Sequence, residues 1–259
     1  MSKHVVGVPA SPIAGQLRWR WPKEVHDGGN DIYSDGTYLQ NNPHWHAADS
    51  AWKAEQIVAM LKRNGLAPST IAEIGCGAGE VLLEVAKRMP GTAEFDGYDI
   101  SPDAYEICAP KSTDNVRFHL YDLLAVEDRM FDLALAIDVF EHVEDYFGFL
   151  RSLRSKARWK IFHIPLELSA LMVARREPLM QERHSVGHLH HFSKETALAT
   201  LEDTGYRVID HAFTSGRTEL DGLGWKTRML KIPRKALYRV SPDAAARLLG
   251  GYSLLVLAE

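Results

Sequence analysis

The chain has 259 residues, 46% of them hydrophobic and 25% charged, with a formal net charge of −4. That size can bury one full α/β core with decorations, and the slight acidity excludes any global attraction to nucleic acid or to an anionic membrane. Two cysteines, Cys76 and Cys108, are too few and too ill-placed for a disulfide framework, and no run approaches the roughly 18 apolar residues of a membrane span. Val5–Val8, broken by Pro9, is poor material for a signal peptide, so a cytoplasmic protein is expected.

In chain order, residues 1–48 show no sustained period but carry Trp19, Trp21, Tyr33, Tyr38 and Trp45, which require burial. They are expected to form an irregular arm packing over the active site, ahead of a domain spanning 49–259. Asp49 or Ser50 caps a helix with Ala54, Ile57, Val58 and Leu61 on one face, ending near Asn64-Gly65. A strand over Thr70–Gly75 runs into a glycine loop, and Leu82, Val85, Ala86 and Met89 mark the following helix. Ala93–Asp99 is the second strand. Ser101-Pro102-Asp103 then opens a helix with a capping hydroxyl, a proline where no amide donor is needed, and an acid at the positive end.

Strands follow at about 116–121 and 131–137, then a helix buried through Tyr146, Phe149, Leu150 and Leu153. Trp159–Ile164 is a strand expected to stop at Pro165, Ser193 caps a helix carrying Ala197, Leu198 and Leu201, and Tyr206–Phe213 and Gly251–Glu259 complete the strands. Alternating strands and helices imply a mostly parallel sheet. Residues 168–192 and 217–250 fall outside this regular pattern as insertions. In the second, Pro233 and Pro242 are expected to break any long amphipathic helix.

The richest motif is Glu73-Ile74-Gly75-Cys76-Gly77-Ala78-Gly79-Glu80, followed one βαβ unit later by Gly97-Tyr98-Asp99-Ile100. This is the layout of a nucleoside crevice at the carboxyl edge of a parallel sheet. The dinucleotide fingerprint would need glycine where Glu80 stands, and a carboxylate at that helix N-terminus repels a pyrophosphate. The ligand is therefore expected to carry ribose and adenine without phosphates.

Together with Phe118–Leu123, Phe131–Asp138 and the turn Val139-Phe140-Glu141-His142-Val143, this motif closely resembles the cofactor site of class I S-adenosyl-L-methionine methyltransferases of the type 11 and type 23 kind. The resemblance covers about residues 50–216 and the final strand. It implies a Rossmann-like, doubly wound, seven-stranded α/β sheet with helices on both faces and an antiparallel last strand. It also implies a cofactor contacted by Glu73, Gly75, Cys76, Gly77, Gly79, Asp99, Ile100, Asp122, Leu123 and Asp138. Glu73 would orient the amino group, Asp99 would accept from both ribose hydroxyls, Ile100 would pack on adenine, and Asp122 would accept from its amine unless it caps a helix. Lys53 either reaches the cofactor carboxylate or is solvated.

Methyl transfer is an in-line displacement at a sulfonium, so alignment does much of the work. A base is needed when the acceptor must lose a proton. His142, His188 and His190 are the candidate acceptor-side groups; His188 and His190 belong to Gly187-His188-Leu189-His190-His191-Phe192-Ser193, which fits a segment lining the acceptor pocket in the family. Asp138-x-x-Glu141-His142 is also comparable with a turn that holds a divalent ion in ubiquinone-biosynthesis O-methyltransferases. For Glu141 a local turn-shaping role is the reading adopted, and no metal is assigned. His184, His188, His190 and His191 match no standard zinc spacing.

The arm Asn42-Pro43-His44-Trp45-His46 with Trp52-Lys53, and Gly250-Gly251-Tyr252-Ser253, are similar to methyltransferases of bacterial glycan and secondary metabolism. O-methylation of a sugar, glycan precursor or other small hydroxylated metabolite is therefore expected, with no nucleic-acid partner. An RNA or protein methyltransferase, a non-catalytic cofactor-binding protein and a nicotinamide oxidoreductase are the alternatives. The basic stretch from Arg217 to Arg239 suits either a solvated face or a lipid-linked acceptor at a membrane surface.

Overall fold

The computed structural model describes residues 49–259 apart from 90, 92, 128, 176 and 216–224. The expected N-terminal arm, residues 1–48, and Arg217 lie outside the described residues. A sheet of order β3-β2-β1-β4-β5-β7-β6 organises the rest. Its strands are β1 (Thr70–Ile74), β2 (Glu94–Asp99), β3 (Val116–Leu120), β4 (Phe131–Ile137), β5 (Ala157–Leu166), β6 (Val208–Thr214) and β7 (Tyr252–Ala258). The first five run parallel, while β7 inserts antiparallel between β5 and β6. This is the doubly wound sheet with an antiparallel last strand that the sequence motif implied.

Alternation along each strand sorts the apolar side chains into two cores, one on each face. Ile71, Phe95, Leu133 and Leu135 pack with helices α1 (Ser50–Arg63), α2 (Glu80–Arg88) and α3 (Pro102–Cys108) through Ile57, Leu61, Leu82, Val85 and Cys108. Ala72, Ala134, Phe162 and Val256 pack on the other face with α4 (Tyr146–Leu153), α7 (Lys194–Asp203) and α9 (Pro242–Leu249). The insertion after β5 forms α5 (Ala170–Arg175) and α6 (Glu177–Ser185), and α8 (Trp225–Val240) precedes α9. Among the described residues, no helix is long and apolar enough to cross a membrane.

Two proline expectations are corrected. Strand β5 does not stop at Pro165 but continues to Leu166, with Pro165 opposite Ser253 of β7. Pairing with β4 ends at Ile137–His163, so beyond that point β5 has a neighbour on one side only and a missing amide donor costs no ladder bond there. Pro233 likewise lies inside α8 rather than ending it. The residues around it are tied down elsewhere: the Arg234 carbonyl accepts from the Tyr252 hydroxyl at 3.1 Å, and Arg234 Nη2 donates to the Leu249 carbonyl at 3.1 Å. Tertiary anchoring outweighs the helix-interior penalty.

Candidate active site

The carboxyl ends of β1, β2 and β4 form the crevice. After β1 the chain turns through Gly75, Gly77 and Gly79, all with φ between 51° and 80°. At Gly79, the residue preceding α2, a Cβ would stand 2.5 Å from Phe118 Cζ, so neither the backbone nor the space admits a side chain. Asp99 ends β2 and braces this loop: Oδ2 accepts from the Gly77 amide and Oδ1 from the Ser101 amide, both at 2.8 Å. Burial raises its pKa against the stabilising amides. Ile100, the next residue, leaves its apolar side chain 59% exposed.

Glu73 is 2% exposed, and its Oε2 meets no hydrogen-bond donor among the described residues. Burial pushes its carboxyl up to about 8, with Lys53 opposing. In the first turn of α2, Glu80 pairs with Lys111 at 2.6 Å, which keeps a carboxylate where a dinucleotide would place phosphate. Asp122 caps the short turn Leu123–Ala125 through the Leu124 amide at 2.8 Å, and Leu123 is fully buried beneath it. Cys76 and Cys108 are buried free thiols.

Asp138 follows β4 with φ 54°, the one positive value among the described non-glycine residues. Its carboxylate is shared between His163 Nδ1 at 2.6 Å and Lys53 Nζ at 2.9 Å, and Lys53 also pairs with Asp49 at 3.0 Å. His163 Nε2 lies 2.9 Å from the Thr214 hydroxyl. Burial would raise the Asp138 carboxyl, but His163 and Lys53 hold it well below the usual carboxylate range. Burial likewise works against the Lys53 ammonium, and Asp138 and Asp49 overcome it, raising its pKa. Lys53 is therefore neither solvated nor solitary; it ties α1 to the end of β4.

The next turn, Phe140–His142, carries the acceptor-side candidates. It is anchored by Val139, whose Cγ2 would touch a Cβ on Gly75 at 3.0 Å. Glu141 is wholly buried, and neither carboxylate oxygen has a hydrogen-bond partner among the described residues. Burial and Asp138 raise its pKa well above the ordinary value. His142 Nδ1 lies 3.2 Å from the Gly187 carbonyl, and its ring meets that of His188 with centroids 4.7 Å apart. Burial and His188 depress His142 to about 4, so it is neutral at physiological pH.

Segment 187–191 is docked on this turn by the Leu189 and His190 amides, which donate to the Glu141 carbonyl at 2.9 and 3.0 Å. His188 is thereby brought against His142. His190 is committed otherwise: Nε2 lies 3.0 Å from the Val143 carbonyl, and the ring packs on Tyr146 at 4.4 Å. It latches the segment in place. Glu167, just past β5, accepts from His188 Nδ1 at 2.8 Å and from His191 Nδ1. Burial would raise its pKa, but the two imidazoles draw it down to about 2. Sequence reasoning missed Glu167 and His163. The signal for His163 was a polar residue inside the apolar run of β5, and for Glu167 a carboxylate at the carboxyl end of a core strand.

The family model described as a methyltransferase domain matches residues 44–211, well over half of the chain. Solved structures share the fold at low identity. Magnesium protoporphyrin IX methyltransferase from Synechocystis PCC 6803 with bound SAH is 18% identical, with 80% of this chain and 82% of that one covered and a TM-score of 0.54. The plantazolicin methyltransferase BpumL in complex with SAH is 16% identical over 87% and 88%, with a TM-score of 0.54. The [4+2]-cyclase SpnF is also 16% identical, over 80% of each chain and with a TM-score of 0.54, so the architecture alone does not dictate one reaction. With its family model matched across the crevice and the sheet, the chain belongs to the class I methyltransferase-domain family and is an enzyme dependent on S-adenosyl-L-methionine.

Proposed function

We propose that this enzyme O-methylates a sugar, glycan precursor or other small hydroxylated metabolite in the cytoplasm. The observation that carries the reading is the pairing of His142 with His188 on a turn that begins at Val139, the residue packed against Gly75 of the glycine loop. Imidazoles beside the cofactor loop suit an acceptor whose hydroxyl must be oriented and relieved of its proton. The two buried free thiols support a reducing compartment.

The crevice fits the cofactor on its own chemistry. The loop glycines at positive φ turn the backbone sharply at the carboxyl end of β1, exposed Ile100 offers an apolar face for adenine, and the orphan Glu73 oxygen offers an acceptor for an ammonium. Asp99 would take the ribose hydroxyls while bracing Gly77, Asp122 and Leu123 would border the adenine, and Asp138 would act through the position of Lys53. When bound, S-adenosylmethionine supplies a methyl group activated on a sulfonium. Insert residues 168–192, which deliver His188, line the acceptor side and are assigned to specificity.

Release of demethylated cofactor, measured across sugars, nucleotide-linked sugars and phenolic hydroxyls beside amines and RNA, tests this directly. Turnover on a hydroxylated acceptor is expected, and His188→Ala should lower it at least tenfold with cofactor affinity unchanged. Methylation confined to RNA or to amines would overturn the acceptor class.

A further inference from the structure

Helix α8 is seated with its apolar side outward. Met229, Ile232 and Val240 are 69%, 79% and 84% exposed, and Pro233 and Ala236 are exposed with them. Positions 229, 232, 233, 236 and 240 follow the three- and four-residue steps that gather side chains on one helix face. The side turned to the protein carries buried Arg234, with Leu237 and Tyr238 packed on the core. An ordinary surface helix does the reverse and turns its apolar stripe inward.

The orientation is pinned. Arg234 Nη2 donates to the Leu249 carbonyl, and the Arg234 carbonyl accepts from the Tyr252 hydroxyl, both at 3.1 Å. The Tyr238 ring stacks on that of Tyr252 with centroids 5.2 Å apart. Gly251 leaves room for the guanidinium, since a Cβ there would stand 3.0 Å from Arg234 Cζ. Rolling α8 to bury Ile232 would break all of these contacts and strand Arg234.

We propose that the outward face of α8 is a docking surface for a lipid bilayer rich in anionic headgroups. Exposed Lys235 and Arg239 border the apolar ridge. The helix sequence holds Lys226, Arg228, Lys231, Arg234, Lys235 and Arg239 without one acid, in a chain whose net charge is −4. An apolar ridge with a cationic flank complements a surface of phosphates over acyl chains. Met229, Ile232 and Val240 enter the boundary, while the Lys235 ammonium and the Arg239 guanidinium stay among the headgroups. Nucleic acid offers the phosphates but nothing apolar to receive a row of Met, Ile and Val. A second copy of the helix would set cations against cations. The acidity of the rest of the chain is largely screened beyond about 10 Å at 0.1 M salt, so the local charge governs the contact. No residue of this face belongs to the cofactor crevice or to the histidine turn, so this proposal and the acceptor assignment stand or fall separately.

Co-sedimentation of the full chain, without an affinity tag, with phosphatidylglycerol–phosphatidylcholine vesicles and with phosphatidylcholine vesicles tests it. Binding to the anionic vesicles is expected to be about 10-fold or more tighter than to the neutral ones, and to be lost at high salt. Ile232→Glu, and separately Lys235→Glu with Arg239→Glu, should each weaken it about 10-fold or more. A cooperative thermal unfolding transition like that of the parent shows each variant to be folded, which the exposure of these side chains favours. No binding of folded parent to anionic vesicles at low salt would overturn the proposal. So would equal binding to both kinds of vesicle, or equal binding by parent and Ile232→Glu. A dimer in analytical ultracentrifugation that Ile232→Glu dissociates, with no vesicle binding, would overturn it in favour of a second copy on this face.

Discussion

Glu73 sits at the floor of the crevice with one oxygen lacking a partner and its carboxyl pushed up to about 8 by burial. A carboxyl whose folded pKa lies above its ordinary 4.5 contributes stability that is complete below that value. The contribution is lost as pH rises through about 8, because the folded protein must then hold a buried charge. Glu73→Gln mimics the protonated side chain. Denaturant unfolding should find the variant level with its parent near pH 4 and more stable at pH 9, by an amount on the order of a few kcal/mol. A parallel pH dependence in both proteins would show that Glu73 is already charged at neutrality. Asp99 presents a different case, since its oxygens already serve the Gly77 and Ser101 amides. Asp99→Ala should weaken cofactor binding by roughly 1–3 kcal/mol, as for lost hydrogen bonds to a charged group. Calorimetry reads this directly, and unchanged affinity would remove Asp99 from the ribose site.

At the scale of elements, local chemistry made much of the molecule legible. Ser101 and Ser193 cap helices as their sequence contexts required, Ser193 with a reciprocal bond from Thr196. The glycine loop falls where its spacing placed it, because positive φ and the absence of room for a Cβ leave glycine as the residue that fits. Pro165 and Pro233 were misread because their cost depends on neighbours remote in sequence: an unpaired strand margin in one case, and the anchors from Tyr252 and Leu249 in the other. The network linking Lys53, Asp138, His163 and Thr214 was hidden for the same reason, since it joins α1 to the ends of β4, β5 and β6. Removing Lys53 strips Asp138 and Asp49 of their shared cation inside the fold. Lys53→Met is therefore expected to cost about 3–5 kcal/mol of stability, read by denaturant unfolding at pH 7; a change below measurement error would mean that His163 alone suffices.

Across the whole molecule, the two faces of the site were unequally written in the sequence. The proposed cofactor side uses contiguous motifs, Glu73–Gly79 and Tyr98–Ile100, brought together by adjacent parallel strands. The proposed acceptor side draws on the turn after β4, the end of β5 and the segment before α7, so its arrangement exists only after folding: Glu141 comes near His188, and Glu167 meets His188 and His191. His190, indistinguishable from His188 in sequence, is a latch, because what separates them is which carbonyl or carboxylate each ring finds.

The central claim is that the crevice binds S-adenosylmethionine and no dinucleotide. Calorimetric titration of ligand-free, folded protein with S-adenosylmethionine, its demethylated product and NAD tests it most directly. One site per chain with micromolar affinity for the first two, and no heat from NAD, is the predicted result. Binding of NAD in their place, or of none of the three, would contradict it.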